Sequence, residues 1–222
     1  MLEFNPLNHT YKVDGILYPG ANEILNGVGV RSKCDMCHEG TIDGIPCDQC
    51  RGTGYTSYNS IAGGKFARDA TASRFGKEFH KIARYTLECK ECTYDKAFDP
   101  YVVGLNKFLQ KYCIIPQLIE QQLHHPLFKF AGTPDLFGHY IHKKPHDKIF
   151  VLVDWKTSVA AQKHWALISA AYAEMIKYNL QIKKKIHRLS VIIKPNDYKV
   201  IEHKDTGDFN KFLSILNIYK GF

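Results

Sequence analysis

No apolar run in this 222-residue chain reaches the roughly 20 residues that a bilayer-spanning helix needs. A soluble protein without a membrane partner is expected. The opening stretch, MLEFNPLNHTYKVDG, lacks a basic end followed by an apolar segment and a small-residue cleavage site, so it does not read as a secretory signal and a cytoplasmic location is expected. There is no internal repeat and no low-complexity tract. Cysteine is sparse outside one place: four of the seven fall in a single spaced cluster, unlike a secreted disulfide scaffold, whose cysteines spread along the chain.

What is present suits a globular protein. With 45% hydrophobic and 13% aromatic residues, the chain can bury a core, and its length fits one unit over residues 1–222 with an inserted element. Thirty basic against 22 acidic residues leave a net charge of +8, which favours a polyanion such as nucleic acid through counterion release. Charge alone fits a solvated positive face equally well.

Residues 10–18 alternate apolar and polar about Asp14-Gly15, which predicts a β-hairpin. A short helix is expected near 21–25. Helical spacing returns over 61–87, weakened by Gly76, and again over 101–112. Beyond Pro116, extended segments are expected over 117–124, 128–140 and 149–155, the last a nearly continuous apolar run, IFVLVDW, of the central-strand type. Helix over 162–178, strands over 188–193 and 199–202, and a helix over 209–219 follow. The fold class expected is α/β, a mixed central sheet flanked by helices.

The sharpest local pattern is GTPD at 132–135 followed by DWKT at 154–157. Two acids and a lysine together can hold a divalent ion on a phosphodiester and place an ammonium beside it. On a strand, the period of two puts Asp154 and Lys156 on one face and Trp155 on the other. The alternative is a solvated Asp-Lys pair at a strand end, with Asp135 merely in a turn. A charged group ending an apolar strand needs a partner or a metal if it is partly buried.

With these residues in place, the chain resembles the PD-(D/E)XK nuclease superfamily, in particular its RecB-like and phage exonuclease members. FGKEFH at 75–80 resembles the G-x-x-x-H helix that supplies a metal-binding histidine, which makes His80 a candidate ligand against the plainer reading of a packed core histidine. Glu120 matches the family's acidic position on the strand before GTPD, and the opening HTYKVDGILYPGANEIL resembles the start of many phage members. The resemblance implies a restriction-endonuclease-like fold and a catalytic set of Glu120, Asp135, Asp154, Lys156 and Tyr172. It also implies Mg²⁺ or Mn²⁺ held by His80, Asp135 and Asp154. One departure stands out: the family's Q-x-x-x-Y helix is met by Tyr172, but Ile168 occupies the place of the glutamine, and Gln162 lies six residues earlier on a different helical face. Tyr172 can equally be a packed aromatic.

Cys34-x-x-Cys37 and Cys47-x-x-Cys50 have the paired spacing of a tetrahedral structural Zn²⁺ site, which predicts a small zinc-ribbon-like insertion over 31–55. CHEG and CRGTG within it resemble the zinc-binding repeats of DnaJ over some twenty residues, with no chaperone activity implied. His38 is an alternative ligand. Cys89 and Cys92 form a further pair, read as ordinary thiols; an iron–sulfur cluster is the alternative, but no cysteine lies beyond Cys113. Two basic runs, with Lys143 and Lys144 in one and Lys183, Lys184 and Lys185 in the other, are candidate DNA contacts or solvated loops.

The function expected is therefore a metal-dependent DNA nuclease, an exonuclease first, in phage or mobile-element DNA recombination, repair or replication. DNA is the expected partner, with a recombination or replication protein as a further one and the host cytoplasm as the setting for a phage-encoded chain. The competing class is a non-catalytic or structure-specific DNA-binding module that keeps the nuclease fold. Oligomeric state, strand polarity and the choice between exo- and endonuclease action are not written in these motifs.

Overall fold

A computed structural model describes residues 1–6, 9–28, 31–33, 41–42, 45–46, 55–57, 70–141, 148–157 and 161–221. The chain opens with three antiparallel strands, β1 (Leu2–Asn5), β2 (Thr10–Val13) and β3 (Ile16–Tyr18), then α1 (Ala21–Val28). The β2–β3 turn is the expected one: Asp14 and Gly15 both take positive φ, 50° and 80°, the geometry that matches the twist of a two-residue hairpin. β1 lies outside the expected hairpin; its pairing with β2 is supplied by the fold rather than by a turn signal.

Four short strands follow, β4 (Arg31–Lys33), β5 (Thr41–Ile42), β6 (Ile45–Pro46) and β7 (Tyr55–Ser57). β4 pairs antiparallel with β7, so the chain leaves and returns at one place; β5 pairs with β6. The four clustered cysteines and His38 lie outside the described residues. The helix expected over 61–87 is described as α2 (Ala70–Leu87), and 61–69 lie outside. α3 (Asp99–Tyr112) follows, with Pro100 in its first turn, where its missing N–H costs nothing.

The next strands are β8 (Ile114–Ile119), β9 (Leu123–His125), β10 (Phe130–Gly132), β11 (Leu136–Tyr140) and β12 (Phe150–Lys156). Two continuous segments expected from sequence are thus each split. Glu120 adopts φ 47°, which ends β8, and Thr133-Pro134 interrupts the run between β10 and β11, since proline cannot donate to a ladder. The detached halves β9 and β10 pair with each other, and a bridge from Gly20 to Ala131 ties them to the opening hairpin. After β12 come α4 (His164–Leu180), β13 (Ile186–Lys194), β14 (Asp197–His203) and α5 (Asp208–Lys220).

Five strands form the central sheet in the order β14-β13-β12-β11-β8. β12 and β13 run parallel, joined through α4, and the other pairs are antiparallel, so the sheet is mixed. β12 is central and its side chains alternate between two cores. Leu152 packs with α1, α4 and α5, including Leu25, Ile176 and Phe212; Val151, Val153 and Trp155 pack with α2 and α3, including Phe79, Ile82 and Phe108. At about 25 cal/mol per Å² of apolar surface, complete burial of these large side chains is what holds the three layers together. No helix among the described residues is long and apolar enough to cross a membrane.

Candidate active site

The alternation along β12 carries through to its end. Trp155 goes to the α2–α3 core, edge-on to Phe108, so Asp154 and Lys156 emerge together on the α4 side. Lys156 Nζ lies 2.7 Å from Asp154 Oδ2 and 5.4 Å from the ring centre of Trp165, in the first turn of α4. Asp154 is only 4% exposed, too buried for the solvated-pair reading.

Asp135 enters from the neighbouring strand. Its Oδ2 accepts the Trp155 backbone N–H at 2.7 Å, which locks the GTPD turn onto the DWK strand. Glu120 sits across from it, its backbone N–H donating to Asp135 O at 3.0 Å, and its left-handed backbone swings the side chain out of the ladder at the end of β8. The third group comes from a helix. Phe79, Ile82 and Ala83 bury one face of α2, and the half-buried His80 beside that face reaches the end of the sheet. Its Nδ1 lies 3.3 Å from Glu120 Oε1 and 3.4 Å from Asp135 Oδ1. One donor atom from each of His80, Glu120 and Asp135 falls within 4.8 Å of the others, a set able to hold a metal ion. Asp154 is adjacent to this cluster through Asp135 but spends Oδ2 on Lys156.

Crowding three carboxylates shapes the charges. Burial disfavours the His80 imidazolium, yet Asp135 and Glu120 overcome it and push the pKa up to about 10. Burial would also raise Asp135, but His80, Lys156 and the Trp155 N–H outweigh it, and Asp135 is held below the usual carboxylate value. Asp154 goes the other way: burial raises it, with Asp135 adding and Lys156 opposing. Glu120 is raised by burial as well, against the pull of His80. Beside Lys156, His164 is driven down to about 3 by burial and then by the lysine charge, so its ring is neutral.

A cleft of about 240 Å³ opens beside these groups, with Asn22, Lys156, Gln162, His164 and Ile168 on its walls. Tyr172 stands behind it. The ring is buried, a Cβ added at Gly132 would lie 2.5 Å from it, and the hydroxyl accepts from Asn22 Nδ2 at 3.4 Å. Gly132 is thus glycine because Tyr172 leans on it, and Tyr172 acts here as a buttress beneath the GTPD turn. Tyr11 braces the same turn from the hairpin, through Thr133 Oγ1 at 3.0 Å. Ile168, at the departure noted in the sequence, is 2% exposed, while the amides of Gln162 and Asn22 reach the cleft from other positions.

The structure thus brings together His80, Glu120, Asp135, Asp154 and Lys156, with Tyr172 behind them. It does not bring Lys183, Lys184 and Lys185 there. They precede Ile186, which pairs with Phe150 at the start of β12, six residues from Lys156; at about 3.3 Å per residue the run lies about 20 Å from the site along the sheet. Lys143 and Lys144 lie outside the described residues. Sequence reasoning passed over Asn22, Ser190 and His203. Ser190 is wholly buried and donates to Asp154 Oδ2 at 3.4 Å, and His203 Nε2 lies 2.9 Å from Ser190 Oγ. No linear spacing links these positions to the site; strand pairing brings in Ser190 and His203, and the packing of α1 brings in Asn22.

No protein-family model matches the chain, and no curated protein matches it. Among solved structures, the crystal structure of a candidate exonuclease from Eubacterium rectale is similar at 15% identity and a TM-score of 0.43, over 80% of this chain and 76% of that one.

Proposed function

We propose that the chain is a divalent-metal-dependent deoxyribonuclease of the PD-(D/E)XK kind, with exonuclease action as its expected form. The observation that carries this reading is the meeting of His80, Glu120 and Asp135 within 4.8 Å, next to a buried Asp154–Lys156 pair. The donor set is hard, carboxylate oxygens with one imidazole, and suits Mg²⁺ or Mn²⁺. When bound, such a cation would polarise the phosphodiester and lower the pKa of an attacking water.

The chain's own residues supply the rest. The Trp155 N–H holds one oxygen of Asp135, which leaves Oδ1 as the oxygen turned toward His80 and Glu120. Lys156, confined by Asp154 and the Trp165 ring, is an ammonium fixed in place before substrate arrives, and it stabilises charge gathering on phosphate oxygens without having to be ordered first. Asn22 and Gln162 offer neutral donors on the cleft wall for the nucleic-acid backbone. A 5′-phosphate on the product belongs to the same reading. So do the single unit over 1–222, a Zn²⁺ staple by Cys34, Cys37, Cys47 and Cys50 in an insertion over 31–55, and a setting in phage or mobile-element DNA processing. The β4–β7 pairing, which joins the ends of that segment, supports an insertion that leaves the fold intact around it.

End-labelled single-stranded, duplex, flapped and circular DNA, each with and without Mn²⁺, tests the reading. Release of 5′-phosphorylated nucleotides from linear forms, with circles spared, is expected. Ile168, an apolar residue where the resembled family has glutamine, favours a second reading, a DNA-binding module without catalysis. Retention of all four DNA forms uncut in the presence of Mn²⁺ would establish that reading in place of the first.

A further inference from the structure

Asp154 is held from behind as well as from beside. It sits on β12 opposite Ser190 of the parallel strand β13, and Ser190 in turn lies on the same face of β13 as Arg188, whose antiparallel partner on β14 is His203. The sheet therefore lines up three side chains across three strands: Asp154, Ser190 and His203. Ser190 Oγ donates to Asp154 Oδ2 at 3.4 Å, and His203 Nε2 approaches Ser190 Oγ at 2.9 Å.

The protons in this row can be placed. Ser190 has one hydroxyl proton, and Asp154 Oδ2, which faces the Lys156 ammonium at 2.7 Å, accepts it, so that proton points to Asp154. The serine oxygen is then an acceptor toward His203, whose Nε2 must carry the hydrogen. His203 is pushed down to about 4 by burial and by Arg188, so its ring is neutral and carries a single N–H, which this row commits to Nε2. His203 also lines a second cleft, between α4 and β14, on the far side of the sheet row from the active site. Both holds on Asp154, from Lys156 and from Ser190, fall on Oδ2. Oδ1 is consequently the oxygen that can engage a cation or a water without breaking either.

We infer that Ser190 and His203 are positioning residues, a hydrogen-bonded row that fixes the rotation of the Asp154 carboxylate and, through the shared oxygen, the placement of the Lys156 ammonium. The inference rests on the nuclease reading for its purpose, but not for its geometry. Without the row, the hold on Oδ2 among the described residues is the Lys156 ammonium, which rides on a flexible four-carbon stem and can follow the carboxylate as it turns about its Cβ–Cγ bond.

Ser190→Ala removes a single oxygen from a buried site, and Ser190→Thr restores the hydroxyl on a side chain that suits a strand. His203→Leu removes the donor, while His203→Gln offers an amide N–H at about the reach of Nε2. Crystal structures of these variants and of the unaltered protein should show the Asp154 carboxylate rotated in the Ala and Leu forms and unmoved in the Thr and Gln forms. Calorimetric titration with Mn²⁺ should show affinity weakened about tenfold in the first two and regained in the second two, the size usual for a group orienting a metal ligand. Turnover should fall with KM little changed. Because the two residues act in one row, the Ala/Leu double variant should be no worse than the poorer single one. An Asp154 carboxylate that keeps its orientation in both Ser190→Ala and His203→Leu, with Mn²⁺ affinity unaltered and only the melting temperature lowered, would overturn the inference. If the unaltered protein cuts no DNA, the nuclease reading fails, and the carboxylate orientation still decides this one.

Discussion

Among the described residues, two clusters of buried charge are built on opposite plans. Behind α4, Arg188 is 8% exposed and meets Asp208 Oδ2 at 2.9 Å, with its terminal nitrogens also bonded to Ala166 O, Asp205 O and Ser169 Oγ. Two cations, Arg188 and Lys211, face two anions, Asp208 and Asp205, with Lys211 Nζ 3.6 Å from Asp208 Oδ1 and 2.6 Å from Asp205 Oδ2, and the guanidinium is bonded on both terminal nitrogens. At the end of β12, three carboxylates, Glu120, Asp135 and Asp154, share two cations, His80 and Lys156. The first cluster is complete as it stands. The second carries a surplus of negative charge in a place where charge is costly, and folding alone gives no reason to keep it. Matched charge reads as architecture; unmatched charge reads as a place for something to bind.

The contrast is sharpest for the acids. Asp154→Asn removes a charge that burial disfavours, so melting temperature should hold or rise, whereas Asp135→Asn gives up a carboxylate that His80 and Lys156 hold below its usual value and should lower it modestly; cleavage should fall by at least about 10³-fold in both. In Asp135→Asn the amide oxygen can still accept the Trp155 N–H, so a loss of fold in that variant would break the comparison. Lys156→Ala should lose about 10²- to 10³-fold in turnover, because its work is on developing charge. In the matched cluster the effects should reverse. Arg188→Met leaves the buried Asp208 Oδ2 without its guanidinium, with Lys211 3.6 Å from the other oxygen, and should cost up to about 3–5 kcal/mol by urea denaturation, with Mn²⁺ affinity at the other cluster retained.

Smaller effects follow from protons. His80 is raised from 6.5 to about 10 by its two carboxylates, so at neutral pH a cation entering between them must displace a proton. Calorimetry in buffers of different ionisation enthalpy should find about one proton released per Mn²⁺ bound at pH 7, with affinity climbing as pH rises toward 10. The sign for stability is opposite. A raised histidine stabilises the metal-free fold fully below 6.5 and ceases to do so as pH passes about 10, so the stability gap between the unaltered protein and His80→Gln should narrow over that window. The smallest effect concerns Gly76 in α2, four residues before His80. A Cβ there would meet Thr157 Oγ1 at 3.5 Å, an ordinary contact, so Gly76→Ala should stabilise the helix by about 0.5–1 kcal/mol in thermal unfolding.

How much of this could be read beforehand depends on how far apart in sequence the partners lie. Asp154 and Lys156 are two residues apart on a strand, and the period of two was enough to place them. The apolar run before them marked the central strand, and Asp14-Gly15 marked the turn of the opening hairpin. The splits at Glu120 and Pro134 were harder, because the segments remain extended on both sides of the break. Ser190, His203 and Asn22 carry no local pattern; each reaches the site through pairing or packing across tens of residues. The run Lys183 to Lys185 shows the reverse case. Its charge is plain in the sequence, but which end of a sheet a loop occupies is decided by strand direction, and β13 runs parallel to β12.

The bond from Trp155 N–H to Asp135 Oδ2 has a consequence for inheritance. The joint between the two halves of the site is made by the main chain of the residue lying between Asp154 and Lys156. Nineteen of the twenty genetically encoded amino acids carry that N–H, and proline alone does not. Mutation at this codon can therefore rewrite the packing against Phe108 while the seam between the two acidic motifs survives nearly every change. A lineage could remodel the core under the site, residue by residue, without ever unfastening the site itself.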